Sequence, residues 1–183
     1  NPLDEVQEFK EGEKDVVKVY VAKKAGEAVG YAVETFTKNG FGGRIDLMVG
    51  FDAKGVICDF SVLKHGETPG LGAKMDEWFH ADSKGGNIQN MKGVDMAAEN
   101  GTLVVAKDGG KVDAITASTI TSRAFLDAVN RAYKYYLEAA GSAPAGAEAT
   151  DASADVPQDE ASTAAETPST EDNAAPAEKG DNK

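Results

Sequence analysis

In the run from Arg44 to Phe51, Ile45, Leu47, Val49 and Phe51 alternate with Asp46, Met48 and Gly50. A period of two puts one set of side chains on one face of an extended segment, so this run is expected to be a half-buried strand. Two β-rich runs precede it, Asp15 to Lys23 and Ala28 to Thr37, separated by Lys-Ala-Gly-Glu in the manner of a hairpin. Asp-Ala-Lys-Gly then turns the chain into Val56 to Lys64. Four meander strands therefore come before any helix, and their sheet should be largely antiparallel. Past the loop from His65 to Gly72, a short helix is expected from Ala73 to about Phe79, and an irregular polar stretch runs on to Gly101. Thr102 to Ile115 reads as another hairpin around Asp108, Gly109 and Gly110. From Ser122 to about Ala140 the period changes, with Phe125, Val129, Ala132 and Tyr136 spaced by three and four, and Gly141 follows as a stop. Strands first and one long closing helix make the fold class α+β.

Composition divides the chain. Residues 142–183 contain no aromatic residue and no Leu or Ile, but hold four of the six prolines. Such a segment cannot bury enough apolar surface to offset its ordering entropy, so the expectation is a folded domain over residues 1–141 and a disordered acidic tail over 142–183. The tail carries ten acidic and two basic residues, so −8 of the chain's net −12 lies there and only −4 on the body. A mildly acidic body without a basic stripe argues against nucleic-acid binding. A single cysteine, Cys58, excludes intramolecular disulfides and cysteine-rich metal sites, and reads as a buried strand residue. No apolar run approaches the length of a membrane span. The chain starts at Asn1 rather than Met, and the loss of an N-terminal segment by processing or trimming is the expectation.

Two places carry candidate chemistry. Thr116, Ser118, Thr119, Thr121 and Ser122 crowd five hydroxyls into seven positions directly before the long helix. Hydroxyls cap helix N-termini, and capping is their commoner use there. The same position is an anion site by its physics, because unpaired amides and the positive end of the helix dipole meet there. The second place, His65-Gly-Glu-Thr-Pro-Gly-Leu-Gly72, is a rigid glycine-rich turn. Its glycines would also let backbone approach a flat ligand, with Glu67 and Thr68 bonding the ligand's edge. The remaining chemistry-bearing residues read as structural: His65 and His80 lack a nucleophile and carboxylate at recognisable spacing, and Asp46, Asp52 and Asp59 lack the spacing of a metal or paired-carboxylate site. Trp78 reads as core, with flanking a ring ligand as the other use open to it.

The order of these two motifs, with Gly40 to Ile57 upstream, resembles the periplasmic FMN-binding domain shared by the G subunit of the Rnf electron-transport complex and the C subunit of the sodium-translocating NADH:quinone reductase. The resemblance covers about Val16 to Tyr136. It implies FMN joined through its phosphate to a threonine as a phosphoester, installed by a dedicated flavin transferase that uses FAD. The family motif of Asp, two variable residues, Ser or Thr, Gly, Ala and Thr maps onto Asp113 to Thr119, which makes Thr119 the acceptor. Thr116, Ala117, Ser118, Thr121 and Ser122 would form the phosphate cradle. Glu67, Thr68, Leu71 and Gly72 would meet the isoalloxazine. The sequence departs from the motif at Ala117, where Gly is usual, and at Ser118, where Ala is usual. The function so implied is electron transfer without catalysis by the chain alone. It would serve a membrane-bound, ion-translocating ferredoxin:NAD+ oxidoreductase, from the periplasmic side of the inner membrane, through an N-terminal anchor absent from this chain. The body's length favours the Rnf-type G subunit over the longer quinone-reductase one. The alternatives are an FMN-bearing module serving an extracellular flavin reductase and a non-redox binding module.

Overall fold

The computed structural model describes residues 5–83 and 85–141; the proposed tail lies outside them. Five strands form one antiparallel sheet in chain order: β1 (Glu5–Glu11), β2 (Asp15–Lys24), β3 (Glu27–Gly40), β4 (Gly43–Asp52) and β5 (Ile57–Lys64). A short helix, α1 (Met75–His80), and a long one, α2 (Thr119–Ala139), complete the α+β arrangement.

The two-residue period sets the register. Val19 pairs with Val33, Val33 with Val49, and Val49 with Phe60, so one apolar row crosses four strands, and its three valines are fully buried. α2 lies across this face, chiefly on β3, and packs it with Phe125, Val129, Ala132, Tyr133 and Tyr136. Tyr136 meets Phe51 at 5.1 Å and Tyr31 edge-on at 5.0 Å, while Phe125 stacks on Phe79 of α1 at 4.2 Å. Each large apolar side chain among them contributes about 1.5–3 kcal/mol by leaving water. Polar pins fix the slide of the helix: Thr37 donates to Asp127 at 2.6 Å, and the Asn130 side chain bonds both backbone groups of Leu103.

Four sequence expectations are corrected. A fifth strand, β1, precedes the expected four. It pairs along its whole length with β2, yet only Val6 and Phe9 of its seven residues are apolar. Thr102 to Ile115 is not a hairpin. The turn exists, as a 3-10 segment at Ala106–Asp108 closed by Gly109, but the flanks share only a single parallel bridge between Val105 and Val112. Val112 alone bonds the opposite flank, while the backbone of Leu103 is taken by Asn130 and the Lys111 carbonyl and Asp113 amide by Ile88. The long helix starts at Thr119, three residues before the expected Ser122. Cys58 is exposed, because Gly50 pairs with Asp59 and Phe51 with Ile57, leaving Cys58 as the extra residue of a bulge.

Candidate flavin site

One wall of the site grows from the loop after β5. Glu67 is 4% exposed, and both its carboxylate oxygens are held by the protein: Oε1 accepts the Gly42 amide at 2.8 Å, and Oε2 accepts the Thr121 hydroxyl in a close contact. The Glu67 amide donates to His65 Nδ1 at 3.1 Å, which gives that histidine a structural partner. Glycine is required here by space. A Cβ on Gly72 would fall 2.4 Å from Thr121 Oγ1 and 2.6 Å from Glu67 Oε2, and one on Gly42 would fall 2.0 Å from the Gly66 carbonyl oxygen. Glu67 thus ties the β3–β4 turn, the loop after β5 and the first turn of α2 together. The Thr68 carbonyl accepts the amides of Leu71 and Ala73, both at 3.2 Å, and the resulting turn leaves Leu71 43% exposed.

The opposite wall is the segment leading into α2. Its start is pinned at Asp113, whose carbonyl accepts the Trp78 indole N–H at 3.0 Å and whose carboxylate accepts Asn87 at 2.7 Å. Trp78 therefore steadies this segment from the edge of the core. Ser122 is fully buried and locks the turn, accepting the Ile115 amide at 2.9 Å and donating to the Ser118 carbonyl at 3.0 Å. Within this turn Ala117 has φ of +60°, in the left-handed region where a Cβ is costly. Ser118 is the helix N-cap, but its side chain makes no cap bond, and the first turn carries no acidic residue. The leading amides of α2 have no acceptor inside the helix by construction, and among the described residues no side chain replaces one.

Between the walls lies a cavity of about 340 Å³ lined by Phe41, Glu67, Thr68, Leu71, Gly72, Ala117, Ser118, Thr119, Ile120 and Thr121. Of the residues singled out in the sequence, all but Thr116 and Ser122 line it. Thr116 is exposed on the turn outside, and Ser122 lies beneath. Three participants were missed. Phe41 and Ile120, 70% and 50% exposed, face the cavity as apolar walls beside Leu71. An aromatic residue inside the glycine turn Lys-Asn-Gly-Phe-Gly-Gly was the available signal for Phe41, since no strand pattern accounts for it. The third is Lys107, whose Nζ donates to Thr119 Oγ1 at 3.3 Å. No sequence signal marked it, because the segment read as a hairpin turn. The adjacent Asp108 is bound by Arg123 through two bonds of 2.6 and 2.7 Å, and those bonds hold its carboxyl below the ordinary carboxylate range.

Residues 40–134 match the FMN-binding domain family. The chain belongs to that family. Its curated relatives include the G subunit of the ion-translocating oxidoreductase complex of Shewanella loihica, 40% identical over 118 residues, which are 64% of this chain and 53% of the relative. The G subunit of the Na(+)-translocating ferredoxin:NAD(+) oxidoreductase complex of Acetobacterium woodii is 35% identical over 67% of this chain and 56% of its own. The G subunit of the ion-translocating oxidoreductase complex of Vibrio cholerae is 35% identical over 74% and 65%. This FMN-binding domain thus spans a little over half the length of the relatives it matches.

The residues present fit FMN. The cavity is at the small end of the range of ligand pockets, with apolar sides from Phe41, Leu71 and Ile120 for a flat ring, and uncapped helix amides plus Lys107 for a phosphate. Among the described residues no cluster of His, Cys, Asp and Glu could hold a metal, and no helix is long and apolar enough to cross a membrane.

Proposed function

We propose that this FMN-binding domain is the redox part of an Rnf-type G subunit and carries FMN as a phosphoester on Thr119. The carrying observation is the placement of Thr119 Oγ1. Thr119 lines the cavity at the uncapped start of α2, and its hydroxyl accepts a hydrogen bond from Lys107. Among the five hydroxyls, those of Thr121 and Ser122 are bonded within the protein and Thr116 stands outside the cavity. Ser118 and Thr119 remain, and the family motif favours Thr119.

Held there, FMN would supply one- and two-electron redox chemistry. The protein's own share is positional. The amides of α2 and Lys107 hold the phosphate, Leu71, Phe41 and Ile120 flank the ring, and the Glu67 network sets the separation of the walls. The cavity's exposed apolar rim keeps the ring close to the surface, within reach of a neighbouring carrier. A covalent link suits such an exposed carrier, since the flavin stays in place when its affinity changes with its charge. The partners in this reading are the other membrane subunits of an ion-translocating ferredoxin:NAD+ oxidoreductase and, during maturation, a flavin transferase. The domain would work on the extracytoplasmic side, tethered by a segment N-terminal to it. The names of the curated relatives support the Rnf-type reading over the quinone-reductase one.

The test is co-production with a flavin transferase, denaturation, and then intact mass and absorption spectroscopy. Flavin that survives denaturation, mapped to the Thr119 peptide and absent from Thr119→Ala, is the expected result. A colourless chain of unmodified mass under those conditions sinks the covalent reading.

A further inference from the structure

A cation reaches the Thr119 hydroxyl from outside the helix. Lys107 sits on the 3-10 turn at Ala106–Asp108, and its Nζ lies 3.3 Å from Thr119 Oγ1. Three contacts fix that turn. Asp108 forks onto Arg123, one helical turn beyond Thr119. The Ala106 amide donates to the Val112 carbonyl at 2.8 Å. Gly110 packs so closely on Val104 that a Cβ would fall 2.0 Å from its carbonyl oxygen. Arg123 is occupied by Asp108, so of these two cations Lys107 is the one that faces Thr119.

We propose that Lys107 is the charge partner of the phosphoryl group on Thr119. The inference rests on Thr119 being the acceptor. In the transfer, the Thr119 oxygen bonds to the flavin-side phosphorus of FAD, the bond from that phosphorus to the bridging oxygen of the diphosphate breaks, AMP leaves, and the threonine proton passes to solvent. No electrons change hands. Negative charge on the phosphate oxygens then meets Lys107 Nζ and the first amides of α2. After the transfer the diester keeps one negative charge, and Lys107 supplies the opposite one in a charge-assisted hydrogen bond. The side chain is exposed, so it is free to follow the phosphate without disturbing the core.

The experiment uses the full 183-residue chain with flavin transferase and FAD, following the initial rate of FMN incorporation by intact mass. Lys107→Met should load about 10-fold more slowly, the weak end of what a hydrogen bond to a charged group contributes. Lys107→Arg should restore most of the rate, and both variants should melt with the wild type. Added salt should slow the wild type more than Lys107→Met. In the loaded protein, Lys107→Met should also move the ³¹P resonance of the ester. Normal loading of Lys107→Met, failure of Arg to rescue, or a melting point that falls with the rate overturns the proposal. A slowed rate with an unmoved ³¹P resonance overturns it too, since Lys107 would then be a contact for the transferase. The two readings separate cleanly. If Thr119→Ala is blank and Lys107→Met loads normally, Thr119 stands and Lys107 falls. If Thr119→Ala loads like the wild type, or the wild type does not load, both fall.

Discussion

Thr119 and Thr121 stand two residues apart on the first turn of α2 and line the same cavity, yet they belong to different regimes. Thr121 is 2% exposed and its hydroxyl is bound by Glu67, inside a network that also holds Gly42 and leaves no room for a Cβ at Gly72. Thr119 is half-buried, and its hydroxyl meets only the tip of an exposed lysine side chain among the described residues. One hydroxyl is built into a rigid frame, and the other is left accessible. A site that must accept a group from another protein needs both: a fixed frame so that the group arrives in one geometry, and one oxygen not already committed to the frame.

The largest effects are expected at the frame. Glu67→Ala removes the acceptor of the buried Thr121 hydroxyl and of the Gly42 amide, and we expect a loss of about 3 kcal/mol in urea unfolding. A loss under about 1 kcal/mol would mean that the network is not what holds the wall. Gly72→Ala forces a methyl against Thr121 and Glu67 and should cost about 2 kcal/mol by the same measurement. At the turn between the regimes the sign reverses. Ala117→Gly relieves a left-handed alanine, so stability should rise by about 0.5–1 kcal/mol, offset in part by the greater freedom of glycine in the unfolded chain. The smallest effect belongs to the accessible side. Thr119→Ala should change stability by less than about 0.5 kcal/mol while leaving the chain unable to take up FMN. A large destabilisation there would place Thr119 in the frame with Thr121.

Much of this was legible in the sequence, for definite reasons. β2 to β5 were found because Val17, Val19 and Val21, or Ile45, Leu47, Val49 and Phe51, alternate with residues that face outward. β1 escaped because an edge strand with one face in water can be built from charged residues, and Glu5-Val-Gln-Glu-Phe-Lys-Glu11 is such a strand. The start of α2 escaped because Thr119, Ile120 and Thr121 have the composition of a strand. What ends the preceding turn is the backbone of Ala117, which no periodicity reports. Most of the cavity lining came from two motifs, but Phe41 comes from the β3–β4 turn, and Lys107 reaches Thr119 from the 3-10 turn before the second motif. Their place depends on how Asp108 meets Arg123 and how Gly42 meets Gly66, facts of packing and not of pattern.

The left-handed turn at Ala117 also sets what the chain can tolerate next to Thr119. In a saturation library, position 117 would sort its occupants by backbone preference before chemistry. Glycine would lead, asparagine and aspartate would be tolerated because they visit this region more readily than other residues, and valine, isoleucine and threonine would be depleted. Mutational drift at the site is therefore channelled: one step from Ala117 leads to a relaxed turn, and most others lead to a strained one.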